Sequence, residues 1–333
     1  MKCVDLFSGC GGLSLGFQNA GVEVLASVDN WDKAVEVYKK NFSHKCYLHD
    51  LTDEEGTHTI IKKYMPDMII GGPPCQDFSS AGKRDETLGR ADLTYHFANI
   101  ICNYKPKWFV MENVERIKKS HILSEVISQF TKAGYGLTAA ILNASYCNTP
   151  QSRNRFFLIG GLGVKNNILT PIYKNALNNE QMTIRDYLGE SLNLDYYYRH
   201  PRNYSRRGIF SIDEPSPTVR GVNRPVPPSY KKHKGDPKNA ELSNVRPLTT
   251  IERSYLQTFP KNFKFQGTKT NLEQMIGNAV PVNLAEFVAN GILNYISNTN
   301  VVQFGQVDIF RSETDFVMPN TKLKKDSPQK KYG

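Results

Sequence analysis

The stretch Asp5-Leu6-Phe7-Ser8-Gly9-Cys10-Gly11-Gly12 follows a short apolar run and precedes a helix-like stretch over residues 13–20. This order predicts a strand that enters a glycine turn and then a helix, where the backbone can approach a ligand closely. A nicotinamide dehydrogenase would have Gly-x-Gly-x-x-Gly here, but the sixth position is Ser14. That departure, together with Asp5 at the strand end, favours an adenosyl cofactor without a pyrophosphate. A tight turn with no ligand is the alternative.

Short apolar runs continue to alternate with helix-like stretches from this turn to about residue 160. Such alternation predicts an α/β fold with a mostly parallel sheet and helices on both faces. Ligands in sheets of this kind bind beyond the carboxyl ends of the strands. Residues 161–245 cluster Asn, Tyr, Arg and Pro without helical periodicity, which indicates a small irregular domain or a long insertion. Two helical patterns return after residue 246, and the polar tail that follows is expected to be disordered.

The composition restricts the class of protein. With 333 residues and 39% hydrophobic content, the chain can bury one large core or two modest ones. No apolar run approaches the roughly 20 residues of a membrane span, so we expect a soluble cytoplasmic protein. The six cysteines include no Cys-x-x-Cys pair, and no metal site is expected. A formal net charge of +10, carried mostly after residue 160, suits a polyanionic partner without requiring one.

Acidic residues follow the next two strand-like runs. The carboxylate of Asp29 could accept both ribose hydroxyls, and Trp31 could stack on adenine. Asp50 could accept a hydrogen bond from the adenine amino group. Each acid taken alone could equally be a solvated turn residue or a helix cap. Their order after successive strands is what favours a cofactor site.

The most informative stretch is Gly71-Gly72-Pro73-Pro74-Cys75-Gln76-Asp77-Phe78-Ser79, which directly follows a short strand. A cysteine in a rigid Pro-Pro loop is exposed and can have a lowered pKa, so Cys75 is a candidate nucleophile. The alternative is a structural turn with an inert thiol. The next strand delivers Glu112 to the same edge, where a carboxyl group could protonate a base.

Two arginines follow later in the chain. Arg153 and Arg155 are two positions apart, which would place them on one side of a strand, where they could hold a phosphate or a carboxylate. A plain ion pair is the alternative.

Six motifs in this chain together resemble the ordered motifs of the bacterial DNA cytosine-5 methyltransferases. In chain order they are residues 5–12, Pro73-Pro74-Cys75-Gln76, Glu112-Asn113-Val114, Gln151-Ser152-Arg153-Asn154-Arg155, Arg246-Pro247-Leu248-Thr249 and Gly277-Asn278-Ala279-Val280-Pro281. The combination is highly specific, although each motif alone is not. Two departures are Ser8, where Ala is commoner, and Asp29, where Glu is usual.

The resemblance implies a Rossmann-like methyltransferase domain that uses S-adenosylmethionine and is formed by residues 1–160 and 246–297. This domain would be discontinuous, because the helix at 282–296 would pack beside the first motif. Residues 161–245 would form a smaller, irregular target-recognition domain. Residues 298–333 would be an extension outside the family pattern.

The resemblance also implies transfer of a methyl group from S-adenosylmethionine to carbon 5 of a cytosine flipped out of double-stranded DNA, with S-adenosylhomocysteine as the product. Cys75 would add to carbon 6, and Glu112 would protonate or hydrogen-bond N3. Arg153 would help to bind the base and orient this carboxylate. Arg155 matches a position near the catalytic loop.

The strand-end acids and the family motifs together assign candidate binding residues. The expected cofactor contacts are Phe7, Ser8, Gly9, Gly11, Gly12, Asp29, Asn30, Trp31, Asp50, Leu51, Pro74, Leu93, Asn278 and Val280. The expected DNA contacts are Gln76, Ser79, Arg206, Arg207, Thr218, Arg220, Arg224, Lys231 and Lys232.

Within residues 161–245, Pro217-Thr218-Val219-Arg220-Gly221 resembles a short element of the family's recognition regions. We expect Arg220 to reach a guanine edge in the major groove. The other basic residues would contact phosphates, which position a protein without reading sequence. A solvated basic loop is the alternative for the lysines.

The sequence disfavours two further alternatives to DNA methylation. A branch of the same family methylates a transfer RNA, but its Cys-Phe-Thr tripeptide is absent from this sequence. A catalytically silent DNA-binding relative would be expected to lose the nucleophile or the acid, and both are present. We expect a bacterial cytoplasmic monomer associated with the nucleoid. Its partner would be a cognate restriction endonuclease that acts on the same sequence without forming a stable complex.

Overall fold

The centre of the fold is a seven-stranded sheet, seen in a computed structural model that describes residues 1–74, 92–203 and 205–302. Three predicted site residues, Cys75, Gln76 and Ser79, lie outside the described residues, as does the tail after residue 302. The strands in chain order are β1 (Lys2–Leu6), β2 (Glu23–Asp29), β3 (Lys45–Leu48), β4 (Met68–Gly71), β5 (Trp108–Val114), β6 (Tyr135–Asn143), β7 (Gln151–Ser152), β8 (Asn154–Leu162), β9 (Tyr196–Tyr198), β10 (Ile209–Ser211), β11 (Ser216–Pro217) and β12 (Arg246–Pro247).

The large sheet has the spatial order β3-β2-β1-β4-β5-β8-β6. Neighbouring strands pair in parallel from β3 to β5, whereas β8 runs antiparallel to both of its neighbours. The predicted α/β fold with a mostly parallel sheet is confirmed. The order reverses direction between β1 and β4, and such a reversal opens a crevice at the carboxyl ends of the strands.

Within the described residues, ten α-helices cover the sheet and complete the second half of the chain. They are α1 (Gly12–Asn19), α2 (Asp32–Asn41), α3 (Glu54–Tyr64), α4 (Asp92–Tyr104), α5 (His121–Lys132), α6 (Thr170–Ala176), α7 (Ile184–Leu188), α8 (Thr250–Leu256), α9 (Lys269–Asn278) and α10 (Val282–Val302). Side-chain caps define several of their starts. Thr249, for example, accepts a hydrogen bond from the backbone of Glu252, whose side chain accepts one from Thr249 in return.

The two faces of β1 bury different chemistry, because successive side chains of a strand point to opposite sides. Val4 and Leu6 join the main apolar cluster, to which α4 and α5 contribute Phe97 and Phe130. Asp5 points the other way, where Ser14 of α1 donates a 2.5 Å hydrogen bond to its carboxyl group. Burial raises the pKa of Asp5 to about 8. Asp5 is thus buried, and through Ser14 it holds the start of α1, which directly follows the glycine turn.

The last helix packs directly on the first, although the two come from opposite ends of the chain. A Cβ at Gly16 would lie 2.4 Å from the Cβ of Ala285 and 2.4 Å from the backbone oxygen of Val282. A Cβ at Gly12 would lie 2.3 Å from the backbone oxygen of Val280. Only glycine permits this approach at both positions, so α1 fixes the C-terminal motif beside the glycine turn.

Residues 161–245 form short elements joined by loops. β9 pairs with β10 and β12, while β11 pairs with β7 through the register Ser216 to Gln151. Residues Met1–Tyr295 form one compact unit, and a second unit begins at Ile296. The division of the chain into catalytic and target-recognition domains stays a prediction. Within the described ranges, no helix is long and apolar enough to cross a bilayer, and no His, Cys, Asp or Glu cluster could hold a metal ion.

Candidate active site

The carboxyl ends of five adjacent strands bring the predicted site residues to one edge of the sheet. In the order from β3 to β5, these ends carry Asp50, Asp29, Phe7, Gly72 and Glu112. Side chains predicted to hold the cofactor therefore stand at the ends of β1, β2 and β3. The candidate acid Glu112 stands on β5 across the crevice, and the Pro-Pro loop begins at the end of β4 beside it.

Asp29 shapes the glycine turn. Its two carboxylate oxygens accept hydrogen bonds from the backbone N–H groups of Gly9 at 2.7 Å and Trp31 at 2.8 Å. Phe7 has a φ of +60° and Gly11 a φ of +97°, so the turn needs left-handed backbone on both sides of Gly9. Burial raises the pKa of Asp29, and the backbone hydrogen bonds oppose this effect. The predicted ribose acid is thus nearly buried and already ordered.

Asp50 has a different environment. It is exposed, and its carboxylate accepts a 3.0 Å hydrogen bond from the backbone N–H of Thr52, which is the main cause of its lowered pKa. The other predicted cofactor residues differ in burial. Ser8, Gly11, Gly12, Leu51 and Val280 are buried; Phe7, Gly9, Trp31 and Leu93 are half-buried; Asn30, Pro74 and Asn278 are exposed.

Glu112 forms the centre of the catalytic side. Its carboxyl oxygen lies 2.8 Å from the Nε of Arg155, and both side chains are nearly buried. The pair forms because β5 and β8 run antiparallel with Val114 opposite Arg155. Burial raises the pKa of Glu112, while Arg155 and then Arg153 lower it without cancelling the effect. A carboxyl group of raised pKa is protonated more readily than an exposed glutamate and can donate that proton to a base.

The Pro-Pro loop begins against this carboxyl group. Asn113 donates from its side chain to the backbone oxygen of Pro73 at 3.3 Å. A Cβ at Gly72 would lie 3.1 Å from a carboxyl oxygen of Glu112, so the absence of a side chain there gives Glu112 its space. The chain thus leaves β4 in contact with the acid at Gly72, three residues before Cys75.

Arg153 occupies a place that the sequence did not predict. The side chain is 1% exposed, and its guanidinium donates to three backbone oxygens, those of Val219 at 3.0 Å, Gly277 at 2.9 Å and Ala279 at 3.1 Å. The expectation that Arg153 orients the carboxylate is corrected, because Arg155 makes that contact. The strand pattern breaks at residue 153, between β7 and β8, so the two arginines do not share a face.

Two glutamines that sequence analysis missed, Gln151 and Gln257, hold the same backbone segments as Arg153, and we call these three side chains the clamp. Gln151 accepts a hydrogen bond from the backbone N–H of Val219 at 2.8 Å and donates to the side chain of Gln257 at 2.7 Å. Gln257 in turn donates to the backbone oxygens of Ile276 and Ala279. Gln151 lies in a recognised motif, but nothing in the sequence links it to Gln257, 106 residues away.

The predicted DNA-contact residues in the second half of the chain differ in their exposure and in the contacts that their side chains make. Arg206, Arg224 and Lys231 are exposed, and Lys232 is exposed with its Nζ donating to a backbone oxygen at 3.1 Å. Arg207 instead forms an ion pair with Glu214 and stacks over the ring of Phe210 at 4.2 Å.

The short element predicted to read DNA lies against the clamp. Thr218 donates to the backbone oxygen of Ser152 at 3.0 Å, and Arg220 donates to the backbone oxygen of His200. Both side chains are therefore hydrogen-bonded within the protein, whereas the sequence suggested that Arg220 would be free to reach DNA.

Comparisons with known proteins agree with this architecture. The family model for C-5 cytosine-specific DNA methylases matches residues 1–294. The Type II methyltransferase M.HindV of Haemophilus influenzae is 69% identical over 295 residues, which are 89% of this chain and 97% of that protein. The Type II methyltransferase M.HgiDI of Herpetosiphon aurantiacus is 52% identical over 311 residues, which are 93% of this chain and 100% of that protein.

Solved structures share the fold. A DNA modification methyltransferase encoded within an E. coli prophage matches with a TM-score of 0.65 and 22% identity, covering 89% of this chain and 99% of that one. The S. pombe Dnmt2 methyltransferase matches with a TM-score of 0.65 and 17% identity, covering 90% of this chain and 99% of that one.

Proposed function

The chain belongs to the C-5 cytosine-specific DNA methylase family, and on that basis we propose which of its residues carry out the reaction. It is a DNA (cytosine-5)-methyltransferase, which adds a methyl group to carbon 5 of cytosine. We propose that its substrate is double-stranded DNA. The target cytosine leaves the helix during the reaction, because its reacting atoms are inaccessible in a stacked duplex.

The proposed methyl donor is S-adenosylmethionine, bound at the glycine turn after β1. A Cβ at Gly9 would meet no atom within 4 Å, so the turn borders open space. The carboxylate of Asp29 borders the same turn and has lone pairs left for the ribose hydroxyls. Trp31 offers an aromatic face, and Asp50 a carboxylate for the adenine amino group. Bound there, the cofactor supplies an electrophilic methyl group and leaves as S-adenosylhomocysteine.

The proposed catalytic residues are Cys75, Glu112 and Arg155. The Cys75 thiolate adds to carbon 6 of the cytosine, which makes carbon 5 a nucleophile. Glu112 donates its proton to N3 and so relieves the negative charge that arrives on the ring. Arg155 orients the carboxyl group through its Nε, in place of Arg153. Carbon 5 would then take the methyl group that the cofactor supplies. A water at the edge would remove the carbon 5 proton, the bond between carbon 6 and sulfur would break with its electron pair returning to Cys75, and the N3 proton would return to Glu112.

One observation carries this proposal above the others. A buried carboxyl group of raised pKa stands at the end of β5, fixed by Arg155 and facing the loop that leads into Cys75. A carboxyl group kept ready for protonation next to a nucleophile loop is expected of a general acid.

The proposed division of labour along the chain follows the family pattern. Residues 1–160 and 246–297 would perform the chemistry, and residues 161–245 would recognise the target sequence. Gln76 and Ser79 would contact DNA near the nucleophile. The exposed Arg206, Arg224, Lys231 and Lys232 would contact phosphates.

We also propose that the enzyme protects DNA within a restriction-modification system. Two relatives that match nearly along their full length are Type II methyltransferases, and they carry the argument. A cognate endonuclease would cut the same sequence when it is unmethylated, without a stable complex between the two proteins. The methyltransferase would act as a monomer on DNA in the bacterial cytoplasm.

Bisulfite sequencing of DNA from cells that express the protein tests the activity. We expect 5-methylcytosine at one position of one short sequence, and none in cells that express Cys75→Ser. Transfer RNA from the same cells is the control substrate, and methylation of RNA alone would overturn the proposal. DNA from the expressing cells should also resist endonucleases that recognise the methylated sequence and remain sensitive to others.

A further inference from the structure

Three arginine side chains converge on a small cavity in the second half of the chain, which we call the arginine recess. Arg199, Arg220 and Arg253 line it together with His200, over the ring of Tyr197 and the backbone of Val219. None of these arginines belongs to the edge that carries Glu112. The recess is a separate feature that the proposed chemistry does not use.

The charge in the recess is not balanced. Among the described residues, Glu273 is the one acid that forms an ion pair with any of the three guanidiniums, and it pairs with Arg253. Glu273 also accepts hydrogen bonds from the side chains of Asn223 at 3.1 Å and Thr250 at 2.7 Å. This carboxylate is therefore already shared, and Arg199 and Arg220 have no acid of their own in the described part of the chain.

Burial together with mutual repulsion acts on these cations. Burial, with smaller contributions from Arg220 and Arg253, lowers the pKa of Arg199 to about 10. Burial also lowers the pKa of Arg253 to about 10, again with a contribution from Arg220. Like charges held together in a partly desolvated recess are unfavourable. An anion that enters the recess removes this cost.

Hydrogen-bond donors remain for such an anion. Arg199 donates one hydrogen bond to the backbone oxygen of Thr218 at 2.7 Å, and a guanidinium has five N–H donors. The Nε of Arg220 has no partner among the described residues but is itself fully buried, so the donors left for an anion are the remaining N–H groups of the two guanidiniums. Planar guanidinium groups with spare donors suit the paired oxygens of a phosphate.

The size of the recess selects the anion. Its volume is about 30 Å³, enough for one or two water molecules. Two phosphate oxygens can replace those waters, whereas a purine base cannot enter. Reading a guanine also needs a side chain that extends into the major groove with two free donors, and Arg220 is directed toward the backbone of His200 instead.

The recess is tied to the catalytic edge through the clamp. Arg153 donates to the backbone oxygen of Val219, and Gln151 accepts from its N–H. Thr218 is bonded at the same time to Ser152 and Arg199. An anion held in the recess is thus linked through Thr218 and Val219 to residues 151–153. These residues precede Arg155 by two to four positions, and Arg155 contacts Glu112.

We propose that the arginine recess binds one phosphodiester group of the DNA substrate and thereby positions the duplex relative to Glu112. Arg199 and Arg220 are positioning residues in this account, and neither reads a base. The proposal rests on the proposed function and names the part of its substrate that this surface takes. It replaces the expectation that Arg220 contacts a guanine.

The test compares Arg199→Gln and Arg220→Gln with Lys174→Gln, an exposed lysine of α6 outside every proposed site. DNA affinity is measured from low to moderate salt for a target duplex and an unrelated one. We expect the slope of log affinity against log salt to fall by about one unit in each arginine variant, for both duplexes, and to stay unchanged in Lys174→Gln. The methylated sequence should be the same in all variants.

A second arm identifies the anion. Duplexes that carry a single neutral methylphosphonate, scanned along both strands, should reveal one phosphate whose neutralisation weakens the wild-type protein. The Arg199→Gln and Arg220→Gln variants should be indifferent at that phosphate. An unchanged salt slope, or continued sensitivity of both variants at every phosphate, would overturn the proposal.

Two further readouts distinguish phosphate binding in the recess from base reading and from a loss of folding. Relaxation of the methylated sequence at one position in Arg220→Gln would assign base reading to that residue and refute the phosphate role. If a glutamine variant unfolds, Arg199→Lys and Arg220→Lys replace it: they keep the charge, but without the planar guanidinium they should lose sensitivity at that one phosphate, and full wild-type sensitivity there would overturn the proposal. Wild-type methylation of DNA tests the proposed function independently, because it does not depend on which phosphate is held.

Discussion

The sheet edge and the arginine recess both use arginine next to buried backbone, but they treat charge in opposite ways. At the edge, Glu112 has Arg155 as a partner, and Asp29 has two backbone donors. In the recess, Arg199 and Arg220 share no carboxylate within the described residues. The edge is electrostatically complete before substrate arrives, as expected where preorganised groups act on a reacting base. The recess is complete only when an anion is bound.

This difference predicts different consequences of mutation in the two regions. Changes at the edge should alter the rate of methyl transfer at saturating DNA. Changes in the recess should alter DNA affinity and its dependence on salt. A variant of the edge that changes only the salt slope, or a variant of the recess that changes only the rate, would break the comparison.

The largest effect is expected for Cys75→Ser. A serine hydroxyl is too weakly ionised at neutral pH to add to carbon 6, so methyl transfer should fall below detection. Affinity for S-adenosylmethionine, measured by calorimetry, should remain near that of the wild type. DNA that contains 5-fluorocytosine should form a covalent adduct with the wild-type protein and none with the variant. An active variant would remove Cys75 from the mechanism.

Glu112→Gln should slow the single-turnover rate by a factor of about 10² to 10⁴, which is typical of a lost acid. The amide can hydrogen-bond to N3 but cannot donate a full proton. The pH profile gives a second readout. Burial raises the pKa of Glu112, and only the protonated carboxyl group donates, so the wild-type rate should fall as pH rises through that pKa. The variant should lose this alkaline fall, and a variant that keeps it would place the acid elsewhere.

Arg153→Ala should mainly affect stability, in contrast to its neighbour Arg155. The backbone oxygens of Val219 and Gly277 lose their side-chain donor, whereas that of Ala279 keeps the hydrogen bond from Gln257, and each buried unsatisfied group costs about 1–3 kcal/mol. We expect the free energy of unfolding, from urea titration, to fall by about 3 kcal/mol or more. Arg155→Gln is the matched control and should slow the reaction with a smaller loss of stability. The reverse pattern would restore the catalytic role first expected of Arg153.

Arg153 and Arg155 also show how much of the site could be predicted from the sequence. The strand ends and the glycine turn were predictable, because alternation of apolar and polar residues and the need for glycine are local properties of the chain. Glu112 followed from its place at the end of such a strand. Arg153 did not, because the break between β7 and β8 comes from pairing with β11, which lies more than 60 residues away. The recess depends on contacts between Arg199, Arg220 and Arg253, which no local pattern encodes.

A smaller effect, on cofactor binding, is expected for substitutions of Asp29 and Asp50 at the sheet edge. Asp29 holds the backbone of Gly9 and Trp31 besides its expected contact with the ribose, so Asp29→Ala should weaken S-adenosylmethionine binding by roughly 10- to 100-fold, as for one or two charged hydrogen bonds. Asp50 is exposed and holds only its own turn, so Asp50→Ala should weaken binding less. Calorimetric titration measures both, and the methylated sequence should not change. Wild-type affinity in both variants would refute the cofactor assignment.

The smallest effect is expected at two exposed lysines, Lys231 and Lys232, because they belong to a solvated surface and not to a built site. Lys231 and Lys232 are exposed, but the loop that carries them is ordered by Asp236, which accepts hydrogen bonds from the backbone N–H groups of Gly208 and Ile209 at 3.1 and 3.0 Å and of His233 at 2.7 Å. Burial opposes ionisation of Asp236 most strongly, yet these bonds together lower its pKa.

Because the loop is fixed while its lysine side chains are solvated, Lys231→Ala and Lys232→Ala should each weaken binding to all DNA by a few-fold. Each should reduce the salt slope by at most roughly 0.9, the value for one phosphate contact. Neither should respond to one particular methylphosphonate, since a flexible ammonium can move to a neighbouring phosphate whereas the buried guanidiniums of the recess cannot. Affinity measurements on the scanned duplexes decide this. A lysine variant that loses sensitivity at a single phosphate would show that the loop, and not the recess, fixes the register of the DNA.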